Sequence, residues 1–384
     1  MAEALERVHT VAPQRRAAQA RIQAAESAMR QANRFPNPSL DLHQENLGAG
    51  APIDQTLDIF ATISQPVEIG GKRAARTAVA AADVKTAQAA VRQAERNLTL
   101  ETVRLYLNAL QAYSLTKFLS RNQEELQTLV IAMTRRVAEG YTAEADLMKF
   151  HTEIARLETQ FMRTKLKFNQ SILELSALLD LSTPLSGSRL VMPPMIDPPP
   201  GDPTVLAQQA VEHQPEILAA QARLDHARHT LVLEKARRLP DPALTAGYKR
   251  AGGADTLVTG VSVPLPVFDR NADNIDRATA EEHAAALDLE ALRKRQLAAT
   301  VALAQAAQEL TERARNIDRQ LLQPAEITRN AARASFREGA ANILQLVDAE
   351  RVYTEARREA LELKLEAYAK TFEARLRLTK EGQP

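Results

Sequence analysis

The longest stretch without glycine or proline limits most strongly how this chain can fold. It covers 68 residues, 72–139. A helix rises about 1.5 Å per residue, so one helix of this length would extend about 100 Å. A compact globular domain cannot contain such a rod. The composition is also typical of long helices or coiled coils, because Ala, Leu, Glu, Gln, Arg and Lys dominate and aromatic residues make up only 4%.

The same arrangement occurs a second time. Residues 267–323 form another stretch of 57 residues without glycine or proline. Glu139-Gly140 follows the first long stretch, and Glu338-Gly339 follows the second. More than 40 further residues after each Glu-Gly pair again lack glycine and proline. We therefore predict a two-fold internal repeat over almost the whole chain.

The predicted domains follow from this repeat. The first structural repeat covers residues 1–181 and the second covers residues 204–384. A connector, residues 182–203, joins them and contains seven prolines in 22 residues. This proline content excludes regular helix or sheet and is typical of a semi-rigid linker. Each repeat is then a helix, two strands, a long helix, a glycine break and another long helix.

Paired prolines mark the same transition in both repeats. The sequences RFPNPSL, 34–40, and RLPDPAL, 238–244, share the order Arg, apolar, Pro, Asn or Asp, Pro, small, Leu. Proline does not fit inside a helix and biases the preceding residue towards an extended conformation. The chain is therefore expected to leave a helix and enter a strand here. The predicted crossings between helix and strand are Pro36, Pro38, Pro66, Pro240, Pro242 and Pro264.

Alternating side chains predict strands with one apolar and one polar face. Near residues 56–66, one face carries Leu57, Ile59, Ala61 and Ile63, and the other carries Thr56, Asp58, Phe60, Thr62 and Ser64. Residues 243–249 and 256–263 alternate in the same way. Segments of about 9–11 residues with this pattern fit strands that cross a bilayer.

Four strands per chain do not form a closed structure by themselves. A four-stranded sheet has open edges, which lipid does not tolerate. Two chains would supply eight strands, whose interior is largely filled by side chains, whereas three chains would supply twelve and leave a channel. The alternative is a small soluble sheet that caps a cytosolic coiled coil, in which case the protein is a scaffold.

Apolar residues after each glycine break follow steps of three, four and seven, which predicts coiled-coil seams. The first seam is Leu147, Phe150, Ile154, Leu157, Phe161, Phe168, Ile172, Leu175 and Leu179. The second is Leu346, Ala349, Tyr353, Ala356, Ala360, Leu363 and Ala367. A further apolar row on the same final helix is Leu361, Leu365, Tyr368, Phe372 and Leu376. A helix with two apolar rows requires partners on two sides.

Several classes of function find no support in the residues. The formal net charge of +1 does not suggest a nucleic-acid partner. Without cysteine, disulfides, cysteine-based zinc sites and thiol chemistry are excluded. No catalytic triad, paired carboxylates or nucleotide loop is found, so we predict no enzyme and no cofactor. His226 and His229 are three residues apart but have no obvious third ligand, so we interpret them as surface residues and predict no metal site.

The first residues, MAEALERVHTVAP, lack the apolar core of a signal peptide. A chain trimmed at its natural N-terminus and a cytosolic chain are the two alternatives that this pattern leaves open.

The duplicated layout resembles the TolC-type outer-membrane efflux proteins, and the resemblance covers essentially the whole chain. The stretch VSVPLPVFDRN, 261–271, is similar to the branch of that family that serves heavy-metal resistance pumps of the cobalt–zinc–cadmium type. The stretch FREGAANILQLVDAERVY, 336–353, is similar to the family's second helical tip.

This resemblance implies a mainly α fold with a small β part, assembled as a homotrimer. Three chains would build a twelve-stranded β-barrel in the outer membrane and a coiled-coil α-barrel in the periplasm of a Gram-negative bacterium. The connector would lie in a belt around the helical barrel. The protein would be the passive exit duct of a tripartite efflux pump for heavy-metal cations or other toxic solutes. Its implied partners are outer-membrane lipid, a periplasmic adaptor protein and an inner-membrane RND-type pump.

The resemblance also implies that the adaptor grips the two glycine breaks. The residues concerned are Glu139, Gly140 and Tyr141 at the first tip and Glu338, Gly339 and Ala340 at the second.

A periplasmic gate is implied near the second tip. The family places an aromatic residue three positions before the tip glycine and acids six and nine positions after it. These positions are Phe336, Gln345 and Asp348, so only the second acid is present. Asp146 matches an acid of the first tip, but its arginine partner is replaced by Ala341. A ring of three Asp348 carboxylates would favour cations; the alternative is an exposed coiled-coil residue.

Overall fold

The computed structural model describes residues 1–45, 58–141 and 143–379. Thr56 and Leu57, which the sequence places in a strand, lie outside the described residues. The elements before the connector are α1 (Ala2–Val11), α2 (Pro13–Ala32), β1 (Ser39–Glu45), β2 (Asp58–Pro66), α3 (Lys72–Ala138) and α4 (Glu144–Leu178). Those after it are α5 (Pro203–Val211), α6 (Pro215–Arg237), β3 (Ala243–Ala251), β4 (Ala254–Ser262), α7 (Ala272–Ile317), a π-helical segment (Asp318–Leu322), α8 (Gln323–Arg337) and α9 (Ile343–Leu378).

The mainly helical fold with a small sheet is confirmed. The long glycine- and proline-free stretch forms α3, a single helix of 67 residues. Within the described ranges, no helix combines the length and the apolar character that are needed to cross a membrane.

Both predicted glycine breaks end a helix in the same way. Gly140 and Gly339 adopt φ values of 79° and 77°, in the left-handed region that favours glycine. After α3, the backbone N–H of Tyr141 donates to the carbonyl of Arg136 at 2.8 Å. After α8, the N–H of Ala340 donates to the carbonyl of Ser335, also at 2.8 Å. These bonds are those of a Schellman motif, which satisfies carbonyls that a helix end would leave unpaired.

The second long helix differs from the first because it contains Pro324. Helical structure continues through this proline, from α7 through the π-helical segment into α8. A proline lacks the N–H that would bond within the helix, and its ring clashes with the carbonyl four residues earlier. A wider π turn directly before the proline is one of the arrangements that relieve this conflict.

The chain divides into two compact units, and each unit uses residues from both halves of the sequence. Unit 1 contains Met1–Arg16, Gln93–Gln214 and Arg295–Pro384, and unit 2 contains Ala17–Arg92 and Pro215–Lys294. The repeat boundaries at residues 181 and 204 describe the sequence pattern, and they stay a prediction.

Apolar side chains from several helices form two clusters in unit 1. One cluster contains Leu110 of α3, Leu175 of α4 and Phe372 of α9. The other contains Phe150 of α4 and Leu346 of α9, together with residues of α3 and α8. Each fully buried side chain of this size contributes about 1.5–3 kcal/mol through removal of apolar surface from water.

Most of the predicted seam positions are buried. In α4 and directly after it, the buried seam residues are Leu147, Phe150, Ile154, Leu157, Ile172, Leu175 and Leu179, whereas Phe161 and Phe168 are only partly buried. Both apolar rows of α9 are largely buried as well, so this helix packs on two sides.

The proline-rich connector belongs to unit 1 and is fixed by specific contacts. Its regular structure is limited to one 3-10 turn, Gly187–Arg189. The hydroxyl of Tyr106 donates to the carbonyl of Val191 and accepts from its N–H, both at 2.9 Å. A Cβ atom at Gly187 would lie 2.5 Å from the ring of Tyr113, so glycine allows the connector to approach α3 closely.

Unit 2 contains the sheet. Its four described strands are antiparallel in the order β1-β2-β3-β4, which makes β1 and β4 the edges. Gly252 and Gly253 form the turn between β3 and β4 with φ values of 57° and 83°. Positive φ at both central residues is the requirement of a type I′ hairpin turn.

Candidate functional site

One face of the sheet carries apolar side chains that remain exposed. The register aligns Leu42, Ala61, Tyr248 and Leu257 in one row across all four strands. Leu42 is 69% exposed and Leu257 is 83% exposed. Over residues 243–249 of β3 the exposure alternates, and Leu244, Ala246 and Tyr248 are the exposed set. In a soluble protein the apolar face of a sheet is covered by a core, whereas here the apolar face is exposed.

The opposite face of the sheet is polar. His43, Phe60 and Lys249 occupy one row on this face. The imidazole of His43 stacks on the ring of Phe60 with centroids 4.3 Å apart. The Lys249 ammonium lies 4.7 Å from the same ring centroid, within the range of a cation–π contact. The alternation predicted from the sequence therefore produces two chemically different faces.

All six predicted crossing prolines lie at strand ends of unit 2. Pro36 and Pro38 lie between α2 and β1, and Pro66 is the last residue of β2. Pro240 and Pro242 lie between α6 and β3, and Pro264 follows β4. Their role in a membrane crossing stays a prediction.

Polar residues that the sequence did not reveal fix these crossings. The carboxylate of Asp241, between Pro240 and Pro242, accepts from the N–H of Ile69 at 3.0 Å and from Lys72 Nζ at 2.8 Å. Lys72 Nζ also donates to the carbonyl of Leu239 at 2.5 Å. The Asp in Pro-Asp-Pro is therefore the acceptor that joins the end of β2 to the start of β3.

In unit 1, the two tips contact each other through Arg136. Its Nη1 donates to the carbonyl of Phe336 at 3.3 Å, and its guanidinium lies 5.6 Å from the ring centroid of Phe336. Phe336 itself is only 6% exposed and belongs to the apolar cluster of the tip. The side chain predicted for the gate is thus a core residue of its own chain. Tyr141, predicted to contact an adaptor, is 78% exposed.

The predicted gate residues Gln345 and Asp348 have different environments. Gln345 forms a capping box at the start of α9: the Asn342 side chain accepts from the N–H of Gln345, and the Gln345 side chain accepts from the N–H of Asn342. The residue in the position of the family's first acid therefore has a structural role. Asp348 is exposed. Asp146 lies 3.3 Å from Lys149 Nζ, within its own helix.

A buried charged cluster joins α3, α8 and α9 near the second tip. Arg333 donates through Nε to Glu350 and through Nη1 to Glu125, the latter at 2.6 Å. The side chain of Glu350 is 2% exposed and that of Arg333 is 15% exposed. Burial acts to lower the pKa of Arg333, but the hydrogen bonds to Glu350 and Glu125 outweigh it and the pKa lies above its usual value. The guanidinium therefore stays charged.

A second buried carboxylate, Glu153, joins α4 to α9. It is 6% exposed, pairs with Arg156 of its own helix and lies 3.8 Å from Arg351 of α9. Neither Glu153 nor Glu350 could be recognised from the sequence, because each lies among many exposed charged residues of a coiled coil.

Potential metal ligands do not converge. In the parts of the chain that the structure describes, no group of three or more His, Cys, Asp or Glu side chains could hold a metal ion. His226 lies 2.8 Å from Asp83, and both side chains are exposed.

Comparison with known proteins places the chain in a family. The model of the outer membrane efflux protein family matches residues 4–180 and 206–378. The cobalt-zinc-cadmium resistance protein CzcC of Cupriavidus metallidurans is 27% identical over 350 residues, which is 89% of this chain and 80% of CzcC. The nickel and cobalt resistance protein CnrC of the same organism is 29% identical over 294 residues, which is 74% of this chain and 67% of CnrC.

The fold is shared with a solved outer-membrane protein. VceC of Vibrio cholerae superimposes with a TM-score of 0.80 at 18% identity, over 98% of this chain and 95% of VceC. The two matched segments cover most of both predicted repeats, and the exposed apolar face of the sheet agrees with an outer-membrane location. The chain therefore belongs to the outer membrane efflux protein family, and its function is efflux through the outer membrane.

Proposed function

We propose that this chain is the passive exit duct of a tripartite efflux pump that carries heavy-metal cations from the periplasm of a Gram-negative bacterium to the exterior. Three copies form a twelve-stranded barrel in the outer membrane and a helical barrel in the periplasm. The observation that carries the proposal is the sheet of unit 2. Its apolar face is exposed, its opposite face is polar, and its four strands end in two open edges. Closure with further copies gives every strand a partner, as lipid requires.

The proposed cargo comes from the relatives. CzcC is named for resistance to cobalt, zinc and cadmium, and CnrC for resistance to nickel and cobalt. All four ions are divalent cations. The exposed Asp348 supports a cation pathway, because three copies near the trimer axis would form a ring of carboxylates. The duct itself performs no chemistry.

The proposed partners are a periplasmic adaptor at the tips and an inner-membrane RND-type pump that supplies the energy. Tyr141, 78% exposed beside Gly140, supports a contact at the first tip. The gate is proposed to lie at the second tip. Because Phe336 is buried, its contribution is to hold the tip together with Arg136, while Asp348 faces the permeating ion.

The decisive experiment is complementation. A bacterium that lacks its own duct but retains the matching adaptor and metal pump should regain resistance to cobalt, zinc or cadmium when this chain is expressed. A variant with Leu257→Arg, which places a charge on the apolar face near the middle of β4, is the matched negative control, because Arg at the bilayer midplane costs about 2–4 kcal/mol. Ser262→Arg on the polar face should complement. Equal resistance with and without the chain would contradict the proposed cargo.

A further inference from the structure

The segment after β4, residues 264–271, exposes its apolar side chains, and Asn271 anchors its end. Leu265 is 77% exposed, Val267 is 63% exposed and Phe268 is fully exposed. The N–H of Asn271 donates to Asp269 Oδ1 at 2.7 Å, and Asn271 Nδ2 donates to the carbonyl of Glu234 at 2.8 Å. Exposed apolar side chains next to an anchored residue indicate a docking surface. We call residues 264–271 the exit segment.

The corresponding segment after β2 contacts the proline crossing that precedes the neighbouring strand, β3. The N–H of Val67 donates to the carbonyl of Pro242 at 2.8 Å. Lys72 is 9% exposed and its Nζ lies 2.8 Å from Asp241. The end of β2 is thus attached to the Pro-Asp-Pro crossing that precedes β3. This contact within one chain is the internal joint.

Close backbone packing completes the internal joint. Gly70 has a φ value of 71°, and a Cβ atom there would lie 2.6 Å from Leu239 Cδ1. Glycine suits this position because its φ lies in the left-handed region, and a Cβ atom would also force the Leu239 side chain to move.

The sheet register relates the internal joint to the exit segment. Ser39 pairs with Ser64, and Ala243 pairs with Ser262. Because Ser39 and Ala243 hold the same position in the two Pro-x-Pro repeats, Ser64 corresponds to Ser262. Counting on from that pair, Val67, Gly70 and Lys72 correspond to Leu265, Phe268 and Arg270. Leu239, Asp241 and Pro242 correspond to Phe35, Asn37 and Pro38.

We propose that the exit segment docks on the Pro36–Pro38 crossing of a second copy of this chain, with Phe268 against Phe35 and Arg270 against Asn37 of that copy. The inference rests on the proposed trimer and adds to it the residues and register of the contact between copies. β4 and β1 are the sheet edges, so each still needs a strand partner, and the second copy supplies it.

The proposed contact differs chemically from the internal joint. Gly70 against Leu239 is replaced by Phe268 against Phe35, which is 69% exposed and has the Arg73 guanidinium 4.1 Å from its ring centroid. Two aromatic rings bury apolar surface that a single chain leaves in water. The ion pair of Lys72 and Asp241 is replaced by a guanidinium that donates to the amide oxygen of Asn37. Attachment between copies is therefore mainly apolar, whereas attachment within a chain uses an ion pair.

The register of the contact follows from the internal joint. Pro66 pairs with Ala243 across β2 and β3. The same alignment between β4 and β1 of the second copy places Ser262 opposite Asp41, Val261 opposite Leu42 and Val263 opposite Leu40. The apolar side chains then continue the exposed apolar face from one copy to the next.

Cysteine pairs test this register, since the chain contains no cysteine. Directly opposite residues of antiparallel strands have Cα atoms about 4.5–5.5 Å apart, within the span of a disulfide. The variant with Ser262→Cys and Asp41→Cys should therefore form covalent trimers on non-reducing gels. A bond within one chain is prevented because β1 and β4 are at opposite sheet edges. In the matched control, Ser262→Cys with His43→Cys, the diagonal distance of about 7–8 Å exceeds that span.

The cross-linking results distinguish an error in the proposed register from an error in the proposed trimer. Cross-linking in the control but not in the Asp41 variant overturns the register. A trimer by mass that cross-links in neither variant overturns the inference and leaves the proposed trimer standing. A monomer in detergent overturns both.

The aromatic contact has its own test, in the thermal dissociation of the detergent-solubilised trimer. Phe268→Ala should lower the dissociation temperature, and adding Phe35→Ala should lower it little further, because the two rings act as one contact. Val191→Ala, at an exposed connector residue, is the matched control and should have no effect. Asn37→Asp should raise the dissociation temperature, and Arg270→Ala should abolish that gain. An unchanged dissociation temperature for Phe268→Ala would contradict the contact.

Discussion

The two helical tips of unit 1 have the same backbone and different side-chain interactions. The first hairpin, α3 to α4, and the second hairpin, α8 to α9, both turn at a glycine with φ near 80° and close with the same pair of hydrogen bonds. The second hairpin carries the buried pair of Arg333 and Glu350, which also reaches Glu125 of α3, and its return helix starts with a capping box. The N-cap residue of the return helix in the first hairpin is Ala143, whose methyl group cannot accept a hydrogen bond.

This difference shows that the two copies of a repeat share backbone geometry and not side-chain pairing. Backbone geometry depends on local residues, so both copies use glycine at the turn. Side-chain pairing depends on neighbours, and the neighbours differ between the copies. The second hairpin is also reached through a π-helical segment and Pro324, whereas α3 runs to the first tip without interruption. We infer that the charged cluster clamps the second hairpin onto α3.

The largest effect is expected from breaking that clamp. Glu350→Ala removes the buried partner of Arg333 and leaves only the more exposed Glu125, so the loss should lie near the lower end of the about 3–5 kcal/mol that breaking a buried ion pair costs. Thermal unfolding of the whole protein measures this loss. Lys149→Ala, which removes the more exposed pair with Asp146 at the first tip, is the matched control and should cost about 0–1 kcal/mol. Similar losses for the two variants would show that the second hairpin has no special clamp.

The glycine turns are expected to be equivalent. Gly140→Ala and Gly339→Ala each force a residue with a Cβ atom into the left-handed region, at a cost of about 1–2 kcal/mol. At Gly339 the new Cβ would also lie 3.2 Å from Arg136 Nη2, which can move aside, so the two losses in unfolding free energy should agree closely. A large loss of unfolding free energy at only one glycine would show that the two turns do not contribute equally to stability.

Changing the N-cap residue of either return helix should reduce the difference in stability between the hairpins. Asn342→Ala removes the capping box of α9 and should cost about 1 kcal/mol. Ala143 already has the extended backbone of an N-cap residue, so Ala143→Asn should stabilise α4 by a comparable amount. Unfolding measurements on both single variants test this expectation, and no gain from Ala143→Asn would show that the first tip is limited by something other than its cap.

The smallest effect on stability is expected at the proposed gate. Asp348→Asn changes an exposed side chain, so unfolding should be unaffected. Single-channel recordings at low salt should nevertheless show a weaker preference for cations and a weaker block by multivalent cations. The change should shrink at 1 M salt, where the Debye length is about 3 Å. Asp146→Asn at the first tip is the matched comparison, and an equal change there would remove the distinction between the tips.

Much of the fold could be predicted from local sequence. The absence of glycine and proline over residues 72–139 predicted α3, and the structure confirms it. Alternation over residues 243–249 predicted the two faces of β3, which the exposure pattern confirms. The pattern does not predict that the helix continues through Pro324, because a proline usually ends a helix, and here a π turn precedes it.

The candidate site could be predicted only in part. The positions of the tips and of the crossing prolines came from the repeat, since both depend on residues with special backbone requirements. Gln345 was interpreted as a replaced gate acid, but the structure shows that it caps α9. The partner of Glu350 lies 17 residues away and the second partner of Arg333 lies 208 residues away, so neither pair leaves a local pattern.

The sequence by itself determined where helices run, where they turn and where strands begin, because glycine, proline and residue periodicity act within a few residues. Only the tertiary structure decided that Asp241 holds Lys72, that Arg136 joins the two tips and that Phe336 is buried. These outcomes depend on which helices and strands pack side by side. Packing brings together residues that are distant in the chain, and it sets whether a charge or a ring is covered or left in contact with water.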